Sequence, residues 1–593
     1  MRFIESRLFA TISFLFVATH LLLAPPLPAA TRPRYGGTLR VEVHAAAASL
    51  DPRGWQMGSL QSAANEKLAE LVFERLVALD NYGRFEPMLA TEWSHDGSNK
   101  RWRFVIRAGV RFSDGSALNA EDVVTALQPL LPATAQVSAS GNSFLIQSSV
   151  PAPDLLEQLA SGRYFVYRVT AGGALTGTGP FVLAGPPAGT GSIGEKRSAP
   201  SRAEPASGAA LRTGGSHLFF RANEEAWSGR PFVDGIDVTL GVPPLRAMFD
   251  LQLGKADLVE LSPDLVPRAR QANLRVWISD PVTLYGLRFD DAQAADSDAR
   301  LREALSVSLD RGTMANVMLQ KQAEPAAALL PQWLSGYAFL FNVDTNLERA
   351  KELRRGIPPN SAGGSEPLRL RVDAPGDLAK LLGERVAVNA RQASILVQVI
   401  NPPVVKGGAA VPAPSDLPSG VHLFAWHYSS LSPRTELESL FAAYNLTVPS
   451  EVNATSTDHE QLYARERRIL DERRVLPLIL QAESVGLGPS VRDWMPARWG
   501  EWHLADVWLE LPEPATRRIH RSPAAPTADR RALVQRDRRR HLSEHLQHRE
   551  SRPEVRPDPG GRPHIQNGLR RDDAVSPRQG SGPDHRLHHR ALA

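Results

Sequence analysis

Apolar positions between residues 34 and 512 recur in two periods, and the two alternate along the chain. Leu39, Val41 and Val43 share one face of a strand that follows Gly36 and Gly37. Residues 102–107 predict a second strand, with a turn at Ala108-Gly109 and a short strand over 110–112; others are expected at 217–221, 235–240, 420–425 and 475–480. Leu68, Leu71, Val72 and Leu76 stand at helical spacing and predict a helix over 62–79, closed by the turn from Asp80 to Gly83. Asn119 is placed to cap a helix carrying Val123, Val124 and Leu127, with Asp122 at its third position. Ser297 or Asp298 opens another that presents Leu301, Ala304, Leu305 and Leu309, and a helix over 460–473 feeds the strand that begins at Val475. Such interleaving predicts a mixed α/β protein with no repeat of fixed period.

Three segments break the pattern. Arg2 and Arg7 precede an apolar run from Leu8 to Leu23, and Pro25, Pro26 and Pro28 lead to Ala29-Ala30. These are the zones of a secretory signal peptide over 1–30, cleaved near Ala30; an uncleaved anchor is the alternative, but the run is short for a spanning helix. Residues 186–216 turn to Gly, Pro, Ala and Ser and read as an exposed insertion. A further Pro/Gly-rich stretch covers 401–420. Residues 513–593 contain no Phe, Trp, Tyr, Met or Lys and hold 8 of the 16 histidines, so they cannot build a core.

Charge follows the same division. The chain of 593 residues has a net charge of +4, but 513–593 contribute +8 and residues 31–512 carry −5. The basic isoelectric point therefore belongs to the tail, and it gives no reason to expect a nucleic-acid partner for the body. A solvated basic tail is the plain reading; a change of reading frame near 513 would give the same Arg-rich, Lys-free composition. No cysteine is present, which excludes disulfides, thiolate catalysis, Cys-ligated metals and a lipid-anchored N-terminal cysteine.

Chemistry-bearing motifs are weak. Gly189, Gly191 and Gly194 satisfy G-x-G-x-x-G, but the following Pro/Ala/Ser run has no helical period to aim N–H groups at a pyrophosphate, and Glu195 stands where a P-loop needs lysine. His541, His545 and His548, and separately His585, His588 and His589, lie in the core-less tail and are expected to be free. Asp290-Asp291 and Asp572-Asp573 read as loop solvation. Neither H-E-x-x-H nor G-x-S-x-G occurs, so no catalytic residue, metal site or cofactor is expected, and weight moves to binding. Trp426-His427-Tyr428 is the most suggestive cluster, three rings at the end of the strand over 420–425, where α/β folds place ligands.

Several stretches together resemble the extracellular solute-binding proteins of family 5, the peptide- and nickel-type receptors of ABC importers. Tyr35-Gly-Gly-Thr-Leu39, Leu50-Asp51-Pro52, Phe73-Glu-Arg-Leu76 and the segment from Glu86 to Trp93 carry the start of the likeness. Its most specific part runs from Trp102 to Val123, and later matches lie at 177–181, 221–231, 254–257, Leu301 to Arg311 and Leu462 to Pro477. The likeness covers about 34–512. It implies a two-lobed periplasmic-binding-protein fold of type II, in the large peptide-binding class, with a hinge between lobes: an N-terminal lobe over 31–280, a C-terminal lobe over 281–475, and a return segment, 476–512, that completes the first lobe. The resemblance implies a periplasmic, monomeric, non-enzymatic receptor that delivers a peptide-like solute to a membrane permease and its ATPase. A scaffold or chaperone-like protein retaining the fold is the alternative.

Candidate ligand-binding residues are Ser49, Trp426, His427 and Tyr428. The resemblance implies that peptide-binding members usually carry an aspartate in a W-x-x-D-Y or W-x-D-like stretch, paired with the peptide's ammonium; here the corresponding segment, Phe424 to Pro433, has His427 and no acid, which weakens the expectation of free-amino peptides and leaves blocked peptides, oligosaccharides and metal chelates open. Losing a charge-assisted bond in a desolvated cleft costs about 1.5–3 kcal/mol.

Overall fold

The computed structural model describes residues 32–46, 48–184, 217–290, 299–337, 341, 344–357, 366–401, 420–446 and 459–510. The signal segment, the 186–216 insertion, the Gly189–Gly194 motif, the tail and its histidines lie outside these residues, as does the cap at Ser297 or Asp298.

The described residues form one compact unit. Its spine is an eleven-stranded sheet whose order runs Phe181–Ala184, His217–Ala222, Gly235–Thr239, Thr38–Glu42, Leu258–Leu261, Val475–Leu487, Arg275–Phe289, Val421–His427, Leu368–Val372 and Val397–Ile400, with Ala323–Pro325 paired beside the long strand 475–487. Strand 38–42 is parallel to both neighbours, as is 368–372 at the other end. Between them the two long strands pair antiparallel from Arg275↔Leu487 to Arg288↔Val475. They run from one hydrophobic core, built on Leu39, Val41, Phe181 and Val238, to a second, built on Leu287, Leu370, Val386 and Leu478. Their register shifts around Pro281, whose missing N–H cannot continue a ladder. A four-stranded antiparallel sheet, in the order Ala90–His95, Arg101–Ile106, Ser143–Ser148, Ala135–Ser140, has a core of its own around Phe104 and Phe144.

Most predicted elements stand. Asn119 caps helix Ala120–Leu127 in a full capping box with Asp122. Leu301, Ala304, Leu305 and Leu309 are buried. The region 110–112 keeps only one bridge, Arg111 to Ala117. The largest departure is the helix expected over 62–79, which spans Leu60–Ala69 and then stops. Tertiary pairing ends it: the carbonyls of Leu71 and Val72 accept from Phe181 N (2.8 Å) and Gly179 N (2.9 Å), and Glu74 bridges Val166. Gly177 and Gly179 make this possible, because a Cβ on either would collide with the Val72 backbone.

Candidate functional site

Strand Val421–His427 runs out of the central sheet and ends against the turn that starts helix Leu60–Ala69. The helix is capped by Ser59 Oγ, which accepts from Ser62 N at 3.1 Å. Just before the cap, Gly58 sits at φ +73°, where an L side chain is strained. His427 N donates to Gly58 O at 2.8 Å, and the Trp426 ring fills the space a Cβ on Gly58 would need. Ser429 Oγ lies 3.9 Å from Met57 Sδ. Residues far apart in sequence, from opposite sides of the long-strand pair, therefore meet at one seam.

The strand carries the aromatic cluster past the boundary expected from sequence, and alternation splits it. Trp426 and Tyr428 point into an apolar cluster with Leu284, Leu437 and Leu440, and both are buried. Trp426 Nε1 donates to Glu436 Oε2 at 2.8 Å, and Tyr428 O–H donates to the Leu329 carbonyl. Glu436 also accepts from the backbone N–H of Ser429 (2.8 Å) and of Ser430, so this one carboxylate, on helix Pro433–Ala443, holds the 426–430 turn in shape. His427 faces the other way, with Nδ1 3.2 Å from Thr283 Oγ1. Burial, with the Lys67 charge adding to it, pushes its imidazole down to about 3, so the ring is neutral in any mildly acidic or neutral medium.

Ser49 stands on the opposite side, half-buried: its N–H donates to Asn65 Oδ1 (2.9 Å) and its carbonyl accepts from Trp55 Nε1 (3.1 Å). The partner it shares with the seam is helix 60–69, through Asn65; Met57 and Gly58 are what touch the 426–429 segment directly.

Sequence reading passed over the charges on that helix. Lys67 is 9% exposed and reaches Glu483 Oε2 at 2.7 Å and Glu260 Oε1 at 3.6 Å, above the Trp502 ring. Burial opposes its charge, but Glu483 and Glu260 outweigh it and hold the ammonium above its ordinary value. Glu66, one residue earlier, has its carboxyl pushed up to about 8, first by burial and then by the charge of Glu436, with Arg75 opposing. Gly162 leaves room for it, since a Cβ there would stand 2.8 Å from Glu66 Oε2. A signal was present in the sequence, because Glu66 and Lys67 fall within a helix, and Glu70 at its end, that also carries the buried Ala63, Leu68 and Ala69.

Glu70, Glu501 and His503 bring potential ligand atoms within 4.8 Å of one another. Each carboxylate is already employed: Glu70 accepts from Trp502 N (2.9 Å) and His503 N (3.0 Å), and Glu501 is paired with buried Arg75. This is a closed structural network that ties 501–503 to helix 60–69.

A second cross-contact lies beside the seam. Asp154, buried, accepts from Ser432 Oγ at 2.5 Å and Thr435 Oγ1 at 3.5 Å, and Arg434 Nη2 stands 3.4 Å from its other oxygen.

Residues 84–185 and 205–399 match the profile of bacterial extracellular solute-binding proteins, family 5 Middle. The chain belongs to this family. Among relatives of the family 5 chain, a probable di/tripeptide-binding protein 5 of Pseudomonas aeruginosa is 24% identical over 357 residues, 54% of this chain and 64% of that protein. The nickel-binding periplasmic protein of Escherichia coli is 22% identical over 412 residues, 60% of this chain and 72% of its own length. The chain thus spans somewhat less than two thirds of the Pseudomonas relative. Solved family 5 structures share the fold: the E. coli murein tripeptide binding protein MppA superposes with a TM-score of 0.64 at 16% identity, over 81% of this chain and 99% of that one. NikA from Brucella suis, in complex with Fe(III)-EDTA, gives 0.62 at 19% identity over 79% and 100%. The two-lobed α/β architecture expected from sequence is therefore the fold of this chain. Among the described residues no helix is long and apolar enough to cross a membrane.

Proposed function

We propose that the protein is an exported, non-enzymatic receptor of an ABC importer, which binds a peptide-like solute between its lobes in the periplasm and hands it to a membrane permease. The observation that carries this reading is the seam between Gly58 and His427. It joins two halves of the molecule linked by a pair of long strands with a register break at Pro281, the arrangement a hinge needs. Solute contacts to both halves would favour the closed form, so that only a bridging solute signals delivery.

The charges at the seam refine the solute class. Position 427 offers a neutral imidazole, and the facing helix offers Glu66, whose carboxyl is kept largely protonated at neutral pH by burial and by Glu436, so that a cationic group brought beside it would favour loss of that proton and pairing with the carboxylate. A solute with an ammonium or other cationic group suits this site, with Trp426, Tyr428 and Glu436 acting as support for the turn and His427, Glu66 and Ser49 as candidate contacts. The relatives named above include peptide-binding and nickel-binding proteins, and both classes belong in the test.

A thermal-shift screen of the purified chain against di- to hexapeptides, N-blocked peptides, oligosaccharides and nickel chelates tests the reading. A solute at 100 times its Kd raises unfolding free energy by about 2.7 kcal/mol. Free-amino peptides are expected to shift the midpoint more than blocked ones. No shift from any class would favour a scaffold that has kept the fold.

A further inference from the structure

We propose that helix Pro244–Gln252 is a docking face for an acidic protein surface on the membrane-bound partner of this receptor; the inference rests on the importer reading above. Leu245, Phe249 and Leu253 are 45%, 40% and 67% exposed and recur every four residues, so they form one apolar stripe along the outside of the helix. The inner face is separately satisfied, because Ala247, Met248 and Leu251 are buried against Val259, Leu261 and Val266. A helix apolar on both faces has one face without a partner.

The rim of the stripe is basic. Arg246, Lys255, Arg268 and Arg270 are all exposed, and the Arg268 guanidinium lies 5.3 Å from the centre of the Phe249 ring. Asp250 is buried and met by Arg246 (3.2 Å) and Lys255 (3.8 Å), so these charges partly offset one another, and Arg268 and Arg270, against the exposed Asp264 on the adjoining turn, give the rim its positive sign. Charge complementarity then selects the occupant. A second copy of the chain would bring like charge to like charge across a two-fold contact. The chain's own segments 185–216 and 513–593 carry +2 and +8 and are equally mismatched. An acidic surface bearing a groove for three apolar side chains fits.

A protein groove is favoured over an anionic bilayer by where the helix sits. Its inner face packs on strand Leu258–Leu261, and Glu260 of that strand pairs with Lys67 beside the seam. Occupation of the stripe is thus mechanically continuous with the solute site, which is the coupling that delivery on docking requires.

The test places p-benzoylphenylalanine at Phe249 of the full chain in its native cells, irradiates them, and identifies the product by mass spectrometry. The expected product is an integral membrane transport protein with an acidic external face, reduced at least tenfold by the further change R268E/R270E. A product joining two copies of the chain, a product within one chain, cross-linking to lipid alone, or no product would each overturn the proposal. So would flotation of the wild-type chain, but not an F249E/L253E variant, with phosphatidylglycerol vesicles. In parallel, F249E/L253E should leave solute affinity within about twofold and reduce uptake at least tenfold; unchanged uptake would overturn the docking face. If no solute binds the wild-type chain, the receptor reading fails by itself, and the cross-link at position 249 still reports whether the stripe has a membrane partner.

Discussion

Gly58 and Trp426, 368 positions apart, occupy a space that admits only one side chain: the indole lies where a Cβ on Gly58 would be. The same glycine accepts the His427 N–H and holds a left-handed backbone. Trp426 is in turn fixed by Glu436, so the seam is defined from both sides.

Replacing Gly58 tests that seam at the point where it meets the buried Trp426 ring. In Gly58→Ala the backbone strain alone is about 1–2 kcal/mol, and the methyl group must also displace the indole. Solute affinity should fall by tenfold or more while the thermal midpoint of the free chain moves by only a few degrees. Equal affinity for wild type and variant would show that the lobes do not need this contact to hold a solute.

Trp426→Phe separates support from recognition. The smaller ring leaves Glu436 buried with one donor fewer, a loss of about 1–3 kcal/mol, and loosens the 426–430 turn. Chemical denaturation should show a lower midpoint together with weaker binding. A large loss of binding with unchanged stability would mean that the indole touches the solute itself.

Much of this was legible beforehand. Alternation located strand 38–42, the capping box at Asn119 located helix 120–127, and the family likeness supplied the two-lobed fold class, because each depends on local pattern or on long matched segments. The end of helix 60–69 was not legible: residues 70–76 keep a helical spacing of apolar side chains, but the chain turns out of the helix at 70–72, where the Leu71 and Val72 carbonyls bond to Phe181 and Gly179, more than a hundred residues away, and Glu74 bridges Val166. Trp426, His427 and Tyr428 were found as a cluster, yet the fact that strand alternation turns Trp426 and Tyr428 into the core and His427 away from them depended on where the strand ended. Glu66, Lys67 and Glu436 were missed because a buried charge looks like a solvated one until its neighbours are known.

The pH dependence of stability follows from buried acids. Burial raises Glu74, Glu436 and Glu466 to about 7 and Glu66 to about 8, against an ordinary value near 4.5. A carboxyl with a raised folded-state value stabilises the fold fully below the unfolded value and loses that contribution as pH rises through the folded one. Asp51, Asp114, Asp310 and Asp373 are shifted down and act in the opposite sense, at lower pH. Stability should therefore peak near pH 5 and decline toward pH 8. Glu74→Gln keeps acceptors for Thr178 and Trp227 and should flatten the decline in a thermal-melt series; a midpoint that climbs from pH 5 to 8 would contradict the assignment.

Asp154 offers a handle on closure alone. Its bonds to Ser432 and Thr435 and its approach to Arg434 cross beside the seam, away from Glu66 and His427. Asp154→Ala should weaken every solute by a similar factor, on the order of tenfold, without changing their ranking, since a shift between open and closed forms taxes all of them alike. Isothermal titration with two unlike solutes would reveal a changed ranking if Asp154 instead reads the solute.

The central claim is that a solute draws the two lobes together at Gly58 and His427. Because the chain has no cysteine, spin labels at Tyr82→Cys and Leu381→Cys, both exposed and on opposite sides of the long-strand pair, report the distance between lobes without background. Pulsed electron resonance on that variant, free and with the best solute from the screen, should show a broad or longer distribution that narrows to one shorter distance on binding. A bound solute that leaves the distribution unchanged would contradict the account.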